Sequence, residues 1–236
     1  MVPQPEFVPP RAIRPERDVR PQPRFDGRRS SDRHTDFAAR ARARCLRRCL
    51  DDLGERPKTM VTLGWQHGTT NAEFFARLHI QSLTTIDVAA ARPRAGSLKS
   101  ADGKATYIHV SDFRATESTD LAYTHGVLDR MSSVERTAAA VLVYRSLKSG
   151  GLFSVWHANP WAPWVAVKGS RLSSRERALA MTPPEARRLL RGVGFDVLQT
   201  VSAFFFPPSL GWCQPIESLL SPIPLGSEYM VLARKP

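Results

Sequence analysis

The sequence has few cysteines and no long apolar segment. Its 236 residues include only Cys45, Cys49 and Cys213, and this low, odd number argues against a disulfide-stabilised secreted domain. No stretch approaches the roughly 18 uninterrupted apolar residues that a transmembrane helix requires. The N-terminus also lacks the apolar region of a secretory signal. We therefore expect a reducing compartment, with a cytoplasmic location, and no transmembrane segment.

The positive charge is concentrated near the N-terminus. Residues 1–50 carry +7 of the total net charge of +12, and seven of the 19 prolines precede residue 24. A segment rich in proline and arginine buries too little apolar surface to offset its ordering entropy. We therefore predict a disordered basic tail over residues 1–33 and a folded domain over residues 34–236. The tail could contact anionic lipid or nucleic acid, although a solvated extension is the simpler interpretation.

The first predicted helix covers Thr35–Leu53, with Asp36 as its N-cap and Gly54 as its end. Two cysteines lie one turn apart on its apolar face, and no further Cys or His follows at ligand spacing. We expect these thiols to pack in the core and predict no metal site. The apolar stripe of this helix consists of Phe37, Ala41, Cys45, Leu46, Cys49, Leu50 and Leu53.

Short apolar, β-branched segments alternate with helical ones after this point. Helices are predicted over Ser133–Leu147 and over Pro183–Val193, the second capped by Thr182 and ended by Gly194. This alternation predicts an α/β fold: a Rossmann-like open sheet of about seven strands, mostly parallel, with helices on both faces. The last two strands lack a clear helix between them, which predicts an antiparallel last strand. The predicted strands are Thr59–Leu63, Ser82–Ile86, Thr106–Val110, Asp120–Thr124, Leu152–Trp156, Phe195–Val201 and Tyr229–Ala233.

Glycines and acidic residues follow the first three predicted strands. Gly64 and Gly68 flank a turn after the first strand, where a backbone without side chains can approach a ligand closely. Asp87 follows the second strand, where a carboxylate can accept hydrogen bonds from ribose hydroxyls. Asp112 and Phe113 follow the third strand and suit an adenine amine and ring face. Each residue alone has an ordinary structural explanation, but together they predict a nucleoside-binding site.

Histidines and aromatic residues follow the later strands. His125 follows the fourth predicted strand, and His157 follows the fifth. An imidazole near neutrality suits proton removal from a bound hydroxyl, although packing of either ring in the core is an equally simple explanation. Large apolar side chains nearby could line an acceptor pocket or form ordinary core: Trp156, Trp161, Trp164, Phe204, Phe205 and Phe206.

Several segments resemble the class I S-adenosylmethionine-dependent methyltransferases of the small-molecule type. Asp120–Met131 is similar to the family's fourth strand and the residues after it, and Leu147–Gly151 to the turn before its fifth strand. Thr182–Phe195 is similar to the helix before the sixth strand. Asn159–Trp161 resembles an Asn-Pro-aromatic element of some bacterial members. The resemblance covers roughly Leu46–Pro236 and implies a seven-stranded sheet with an antiparallel last strand.

The family's first glycine motif is eroded in this sequence. Thr62 stands where the family has an acidic residue that helps to hold the methionine ammonium. Gln66 stands at the middle glycine, so only Gly64 and Gly68 match the pattern. The resemblance therefore implies a site that binds S-adenosylmethionine with another group in place of that carboxylate, or more weakly.

The resemblance implies a methyltransferase acting on a small molecule, such as a hydroxyl of a sugar, glycolipid or secondary metabolite. His157 is the first choice for the base that removes the hydroxyl proton, and His125 is the second. One alternative is an inactive cofactor-binding partner protein, and another is a nucleic-acid methyltransferase, suggested by the basic tail. The residues expected to bind the cofactor are Gly64, Trp65, Gly68, Asp87, Asp112, Phe113 and His125.

Overall fold

A computed structural model describes residues 30–64, 77–88, 98–99, 105–162, 180–205 and 223–236. For residues 30–37 and 98–99 it describes the backbone alone. Within these ranges, no helix combines the length and apolar character needed to cross a membrane.

Eight strands and three α-helices make up the described fold. A single-turn 3-10 helix also covers Leu128–Arg130. The helices are α1 (Ser30–Asp52), α2 (Ser133–Ser146) and α3 (Pro183–Val193). The strands are β1 (Thr59–Gly64), β2 (Ser82–Asp87), β3 (Leu98–Lys99), β4 (Ala105–His109), β5 (Thr119–His125), β6 (Leu147–Ala158), β7 (Asp196–Ala203) and β8 (Glu228–Arg234).

All eight strands belong to one sheet in the order β3-β4-β2-β1-β5-β6-β8-β7. Strands β4, β2, β1, β5 and β6 pair in parallel. Strand β8 is antiparallel to both β6 and β7, so the predicted antiparallel last strand is confirmed. The predicted Rossmann-like sheet is confirmed as well, and the eighth strand is the two-residue β3, which pairs antiparallel with β4 at the edge.

Two hydrophobic clusters cover the two faces of the sheet. On one face, Leu46 and Leu50 of α1 pack with Met60, Trp156 and other strand residues. On the opposite face, α2 and α3 pack on side chains that alternate with those of the first cluster. Successive residues of one strand therefore point to opposite faces of the sheet. This alternation determines the face on which each polar side chain at a strand end lies.

Helix α1 differs from its prediction at both its start and its buried stripe. It begins at Ser30, so Asp36 lies inside the helix and the predicted N-cap is wrong. Ala41 and Cys45 are only half-buried, and Leu53 is exposed. The buried face of α1 is rotated by about one residue relative to the predicted stripe. It consists of Ala39, Arg42, Ala43, Leu46, Cys49 and Leu50.

The other two helices begin and end at residues with clear capping functions. Ser132 and Glu135 form a capping box at the start of α2, and Thr182 and Glu185 form another at the start of α3, as predicted for Thr182. Helix α3 ends at Gly194, whose φ of 108° favours glycine. The predicted turn at Leu147–Gly151 is instead the beginning of β6, with a register irregularity opposite β5.

Asp120 fastens the amino end of β5 to the amino end of β1. Its Oδ2 accepts hydrogen bonds from the backbone N–H groups of Lys58 and Thr59, both at 2.8 Å, and its Oδ1 lies 2.6 Å from Lys148 Nζ. Partial burial raises the pKa of Asp120, but the Lys148 contact and the backbone donors outweigh it and lower the pKa to about 2. The carboxylate therefore stabilises the folded state only while it is ionised.

Replacing Asp120 with Asn should lower the free energy of unfolding at neutral pH by about 2 kcal/mol. Because folding depresses the Asp120 pKa, the advantage of the carboxylate is complete above its unfolded-state pKa. It disappears as the pH falls toward about 2. Urea denaturation of both proteins between pH 7 and pH 2.5 measures this difference, with the exposed Asp52→Asn as the control. A stability difference that does not shrink with acid would contradict this account.

Candidate functional site

The carboxyl ends of the parallel strands meet at one edge of the sheet. Gly64, the last residue of β1, pairs with Asp87, the last residue of β2. Asp87 in turn pairs with His109, the last residue of β4. The parallel register therefore places the glycine and the carboxylate side by side at adjacent strand ends, as the order of the sequence predicts.

Asp112 and Phe113 lie in the tight turn that follows β4. The backbone N–H groups of both residues donate to the carbonyl oxygen of His109, at 2.9 and 3.1 Å. The Asp112 side chain is exposed, and its Oδ1 accepts a hydrogen bond from Ser111. Phe113 is half-buried against the core on the α2 and α3 face. The turn thus places a carboxylate and an aromatic ring next to the end of β4.

Two other predicted cofactor residues, Trp65 and Gly68, lie outside the described residues. Thr62, at the position of the family's acidic residue, is buried within β1 at 3% exposure. Because a hydroxyl is neutral, Thr62 cannot supply the negative charge that the family's acidic residue has at this position.

His125, at the end of β5, belongs to a charged cluster on the α1 face. Arg42 of α1 donates from Nη1 to both carboxylate oxygens of Glu228, at 3.0 and 3.1 Å. The same Nη1 lies 3.2 Å from His125 Nε2. His125 Nε2 also lies 3.6 Å from Glu228 Oε1. His125 Nε2 is therefore engaged by the Arg42–Glu228 ion pair.

Burial and charge act in opposite directions on Glu228. Desolvation raises the pKa of its carboxyl group, but the neighbouring His125 and Arg42 outweigh it and hold the pKa below its usual value. Arg42 also lies over the ring of Phe204, 5.9 Å from its centroid. The cluster joins α1, the end of β5 and the start of β8 beside the strand ends.

His157, near the end of β6, lies on the opposite face of the sheet. Its side chain is completely buried, and its Nδ1 lies 2.7 Å from Asp129 Oδ1. Its Nε2 is also buried and has no hydrogen-bond partner in the part of the chain that the structure describes. An unsatisfied buried polar atom costs about 1–3 kcal/mol, so this nitrogen is a site where a ligand atom would find a favourable contact.

Two hydrogen bonds fix the surroundings of His157. The backbone N–H of Met181 donates to Asp129 Oδ1 at 3.3 Å, and the Tyr229 hydroxyl donates to the Met181 carbonyl at 2.6 Å. The rings of His157 and Tyr229 are 5.4 Å apart, centroid to centroid. Burial raises the pKa of Tyr229, as do the charges of Asp129 and Glu185, so its phenol stays neutral.

Comparison with solved structures finds a similar fold in many other proteins. A methyltransferase of Thermotoga maritima, described as a possible histamine N-methyltransferase, matches with a TM-score of 0.56 and 16% identity, over 87% of this chain and 95% of that chain. The 1,6-didemethyltoxoflavin-N1-methyltransferase of Burkholderia thailandensis, solved with S-adenosylhomocysteine, matches with a TM-score of 0.54 and 18% identity, over 87% and 81% of the two chains. The chain has the class I S-adenosylmethionine-dependent methyltransferase fold.

The methyltransferase fold alone does not determine the reaction. The [4+2]-cyclase SpnF matches with a TM-score of 0.51 and 18% identity, over 80% of this chain and 81% of that chain. No protein-family model matches the sequence, and no curated protein matches it significantly. The function must therefore be argued from the residues of the site.

Asn159, just after β6 in the methyltransferase fold, is committed to the protein backbone. Its Nδ2 donates to the carbonyl groups of Pro224 and Gly226, at 2.9 and 2.8 Å, and its Oδ1 accepts from the Trp161 backbone. This buried amide ties the residues before β8 to the end of β6. It has no free donor for a ligand, so the Asn-Pro-Trp element is structural here.

The predicted aromatic acceptor pocket is distributed over different environments. Trp156 is buried in the α1-face core, with its indole N–H donating to Ser154. Phe205 is buried as well, Phe204 is half-buried and Trp161 is 47% exposed. Trp164 and Phe206 lie outside the described residues. In the described ranges, no group of three or more Cys, His, Asp or Glu side chains could hold a metal ion.

Sequence reasoning missed Arg42, Asp129, Glu228 and Tyr229. Arg42 left one signal, because it is a charged residue at a position of the buried helical stripe, where an arginine needs a partner. Asp129 lies in the segment that resembles the methyltransferase family, but no pattern links it to His157, 28 residues away. Their contact depends on how the chain turns after β5.

Replacing Arg42 with Met should destabilise the fold by about 3 kcal/mol, because it leaves the largely buried Glu228 carboxylate without its cation. The double variant Arg42→Met with Glu228→Gln should lose less than the two single variants together, since their effects couple. Urea denaturation of all three measures this cycle, with the exposed Arg48→Met on the same helix as the control. Simple additivity of the two changes would contradict a direct interaction.

Proposed function

We propose that this protein is a methyltransferase that binds S-adenosylmethionine at the carboxyl ends of β1, β2 and β4. The observation that carries the proposal is the pairing of Gly64 with Asp87 at adjacent strand ends of a class I methyltransferase fold. Ligands of open parallel sheets bind at this edge, where the sheet leaves a crevice. Two of the similar structures are methyltransferases, which supports the same assignment.

The residues that would hold the cofactor surround this edge. Asp87 would accept hydrogen bonds from the ribose hydroxyls, and the turn after β4 would offer Asp112 to the adenine amine and Phe113 to the ring. Gly64 lets the backbone approach the ligand, and we place Trp65 and Gly68 with it on the basis of the sequence. His125 would lie next to the methyl donor. The cofactor supplies an activated methyl group, so the protein's task is to align the acceptor and to exclude water.

For the acceptor we propose a small molecule with a hydroxyl group, such as a sugar, glycolipid or secondary metabolite, and His157 as its base. The geometry favours His157 over His125. The Nε2 of His157 has no hydrogen-bond partner in the described part of the chain, whereas Arg42 engages the Nε2 of His125. A base needs a free lone pair within reach of the hydroxyl proton. The toxoflavin methyltransferase among the similar structures methylates a nitrogen atom, so it supports a small-molecule acceptor, and the choice of a hydroxyl rests on His157.

One alternative is a partner protein that binds the cofactor without transferring the methyl group. Thr62 supports it, because a neutral residue replaces the carboxylate that the family uses to hold the methionine ammonium. A nucleic-acid methyltransferase is supported only by the basic N-terminal residues. Titration with S-adenosylmethionine, followed by a search for methylated product, separates these possibilities.

Asp87→Ala should weaken S-adenosylmethionine binding by roughly ten- to hundredfold, since a charge-assisted hydrogen bond contributes roughly 1.5–3 kcal/mol. Isothermal titration calorimetry of the full chain measures the affinity. The control is Asp196→Ala, an exposed carboxylate at the amino end of β7, which should bind like the parent protein. Equal affinities of the parent and the Asp87 variant would remove Asp87 from the site. No binding to the parent protein at millimolar concentration would overturn the proposed function.

His157→Ala should lower turnover on a hydroxyl acceptor by roughly 10²–10⁴ while cofactor affinity stays nearly unchanged. The reason is that strand β6 lies beyond the adenosine site, two positions from β1 in the sheet. Release of S-adenosylhomocysteine measures turnover, and calorimetry measures affinity. His125→Ala is the comparison, and we expect it to affect binding and turnover together. Full turnover of His157→Ala with no turnover of His125→Ala would transfer the base to His125.

A further inference from the structure

The contact between Asp129 and His157 defines which ring nitrogen carries the proton. Nδ1 of His157 lies 2.7 Å from Asp129 Oδ1, a short distance for a charge-assisted hydrogen bond. An ionised carboxylate can only accept, so the hydrogen must be on Nδ1. In the neutral ring, Nε2 then carries the lone pair. It is this nitrogen that is buried without a partner in the described part of the chain.

The fold holds Asp129 in place from two sides. The residue lies in the 3-10 helix Leu128–Arg130, directly after β5, and its Oδ1 also accepts the backbone N–H of Met181 before α3. Tyr229 packs its ring against His157 but donates its hydroxyl proton to the Met181 carbonyl. The tyrosine is therefore a committed donor that does not compete for Nε2. The other charged groups around Tyr229 are Glu185 and Arg136.

We propose that Asp129 is a positioning residue that fixes the Nδ1–H tautomer of His157 and so makes Nε2 the atom that takes the acceptor's proton. This inference rests on the proposed function and narrows its substrate class to acceptors that are neutral when they bind. The hydroxyl O–H bond breaks and its proton goes to Nε2, while the oxygen forms the new bond to the methyl carbon. The S–C electron pair returns to sulfur, so the sulfonium charge disappears as the imidazolium charge appears.

A purely structural pair would have different consequences. The same hydrogen bond also links the segment after β5 to β6, and as a mere clamp it would affect stability without affecting the chemical step. Asp129→Asn keeps the size of the side chain and an oxygen acceptor, but its amide can also donate and so supports either tautomer. Tyr229→Phe removes one hydrogen bond of the same network and leaves Nδ1 untouched. The two variants therefore distinguish a role of Asp129 in the chemical step from a role in stability alone.

The experiment combines nitrogen NMR with turnover on defined probes. The full chain, labelled with ¹⁵N-histidine and saturated with S-adenosylhomocysteine, reports the tautomer of His157, which is assigned by its loss in His157→Gln. Turnover is measured on a series of alcohols and on 4-nitrophenol, which ionises without a base. We expect Nδ1–H in the parent protein and a mixture in Asp129→Asn. For Asp129→Asn we also expect a kcat on alcohols that is about hundredfold lower than that of the parent protein, with an unchanged KM. Its loss of kcat on 4-nitrophenol should be smaller.

Four results would overturn the proposal. The first is a proton on Nε2 of His157 in the parent protein, and the second is full turnover of alcohols by Asp129→Asn. The third is a loss of turnover in Tyr229→Phe equal to that in Asp129→Asn. The fourth is no turnover of any probe by parent protein that binds the cofactor. The conservative Asp129→Glu should regain part of the lost turnover, because it restores a carboxylate. Failure of the proposed function itself is distinguished by the absence of cofactor binding in calorimetry.

Discussion

The parallel pairing of β1 with β2 on one side and with β5 on the other is the constraint on which the site depends. Because β1 pairs in register with both neighbours, Gly64, Asp87 and the end of β5 all reach the same edge of the sheet. Parallel strands require crossovers, and the alternating faces of each strand then assign each polar side chain to one side. The positions of the candidate ligand groups follow from this register.

The two histidines at this edge differ in their environments because they lie on opposite faces. His125 lies on the α1 face, in an ion-pair cluster that engages its Nε2. His157 lies on the face of α2 and α3, where a carboxylate binds Nδ1 and Nε2 has no partner in the described ranges. Both residues follow neighbouring strands in the sequence, and only the resemblance to the methyltransferase family ranked His157 before His125. The hydrogen bonds therefore distinguish the two rings, because Nε2 of His125 contacts an ion pair and Nε2 of His157 does not.

The fold class and most strands could be predicted from the sequence, because alternation of strand and helix signals is a local property of the chain. The capping residue Thr182 and the end of α3 at Gly194 were likewise readable from local patterns. The buried face of α1 was not, because its apolar residues are selected by packing on the sheet and Arg42 is explained by its partner Glu228, 186 residues away. Asp129 was missed for the same reason, because long-range contacts leave no spacing rule.

The central claim is that S-adenosylmethionine binds across the ends of β1, β2 and β4. The most direct measurement is a crystal structure of the protein with S-adenosylhomocysteine. We expect the ribose hydroxyls within hydrogen-bond distance of Asp87 and the adenine beside Asp112 and Phe113. Adenosine bound elsewhere, with no contact to Asp87, would contradict the account.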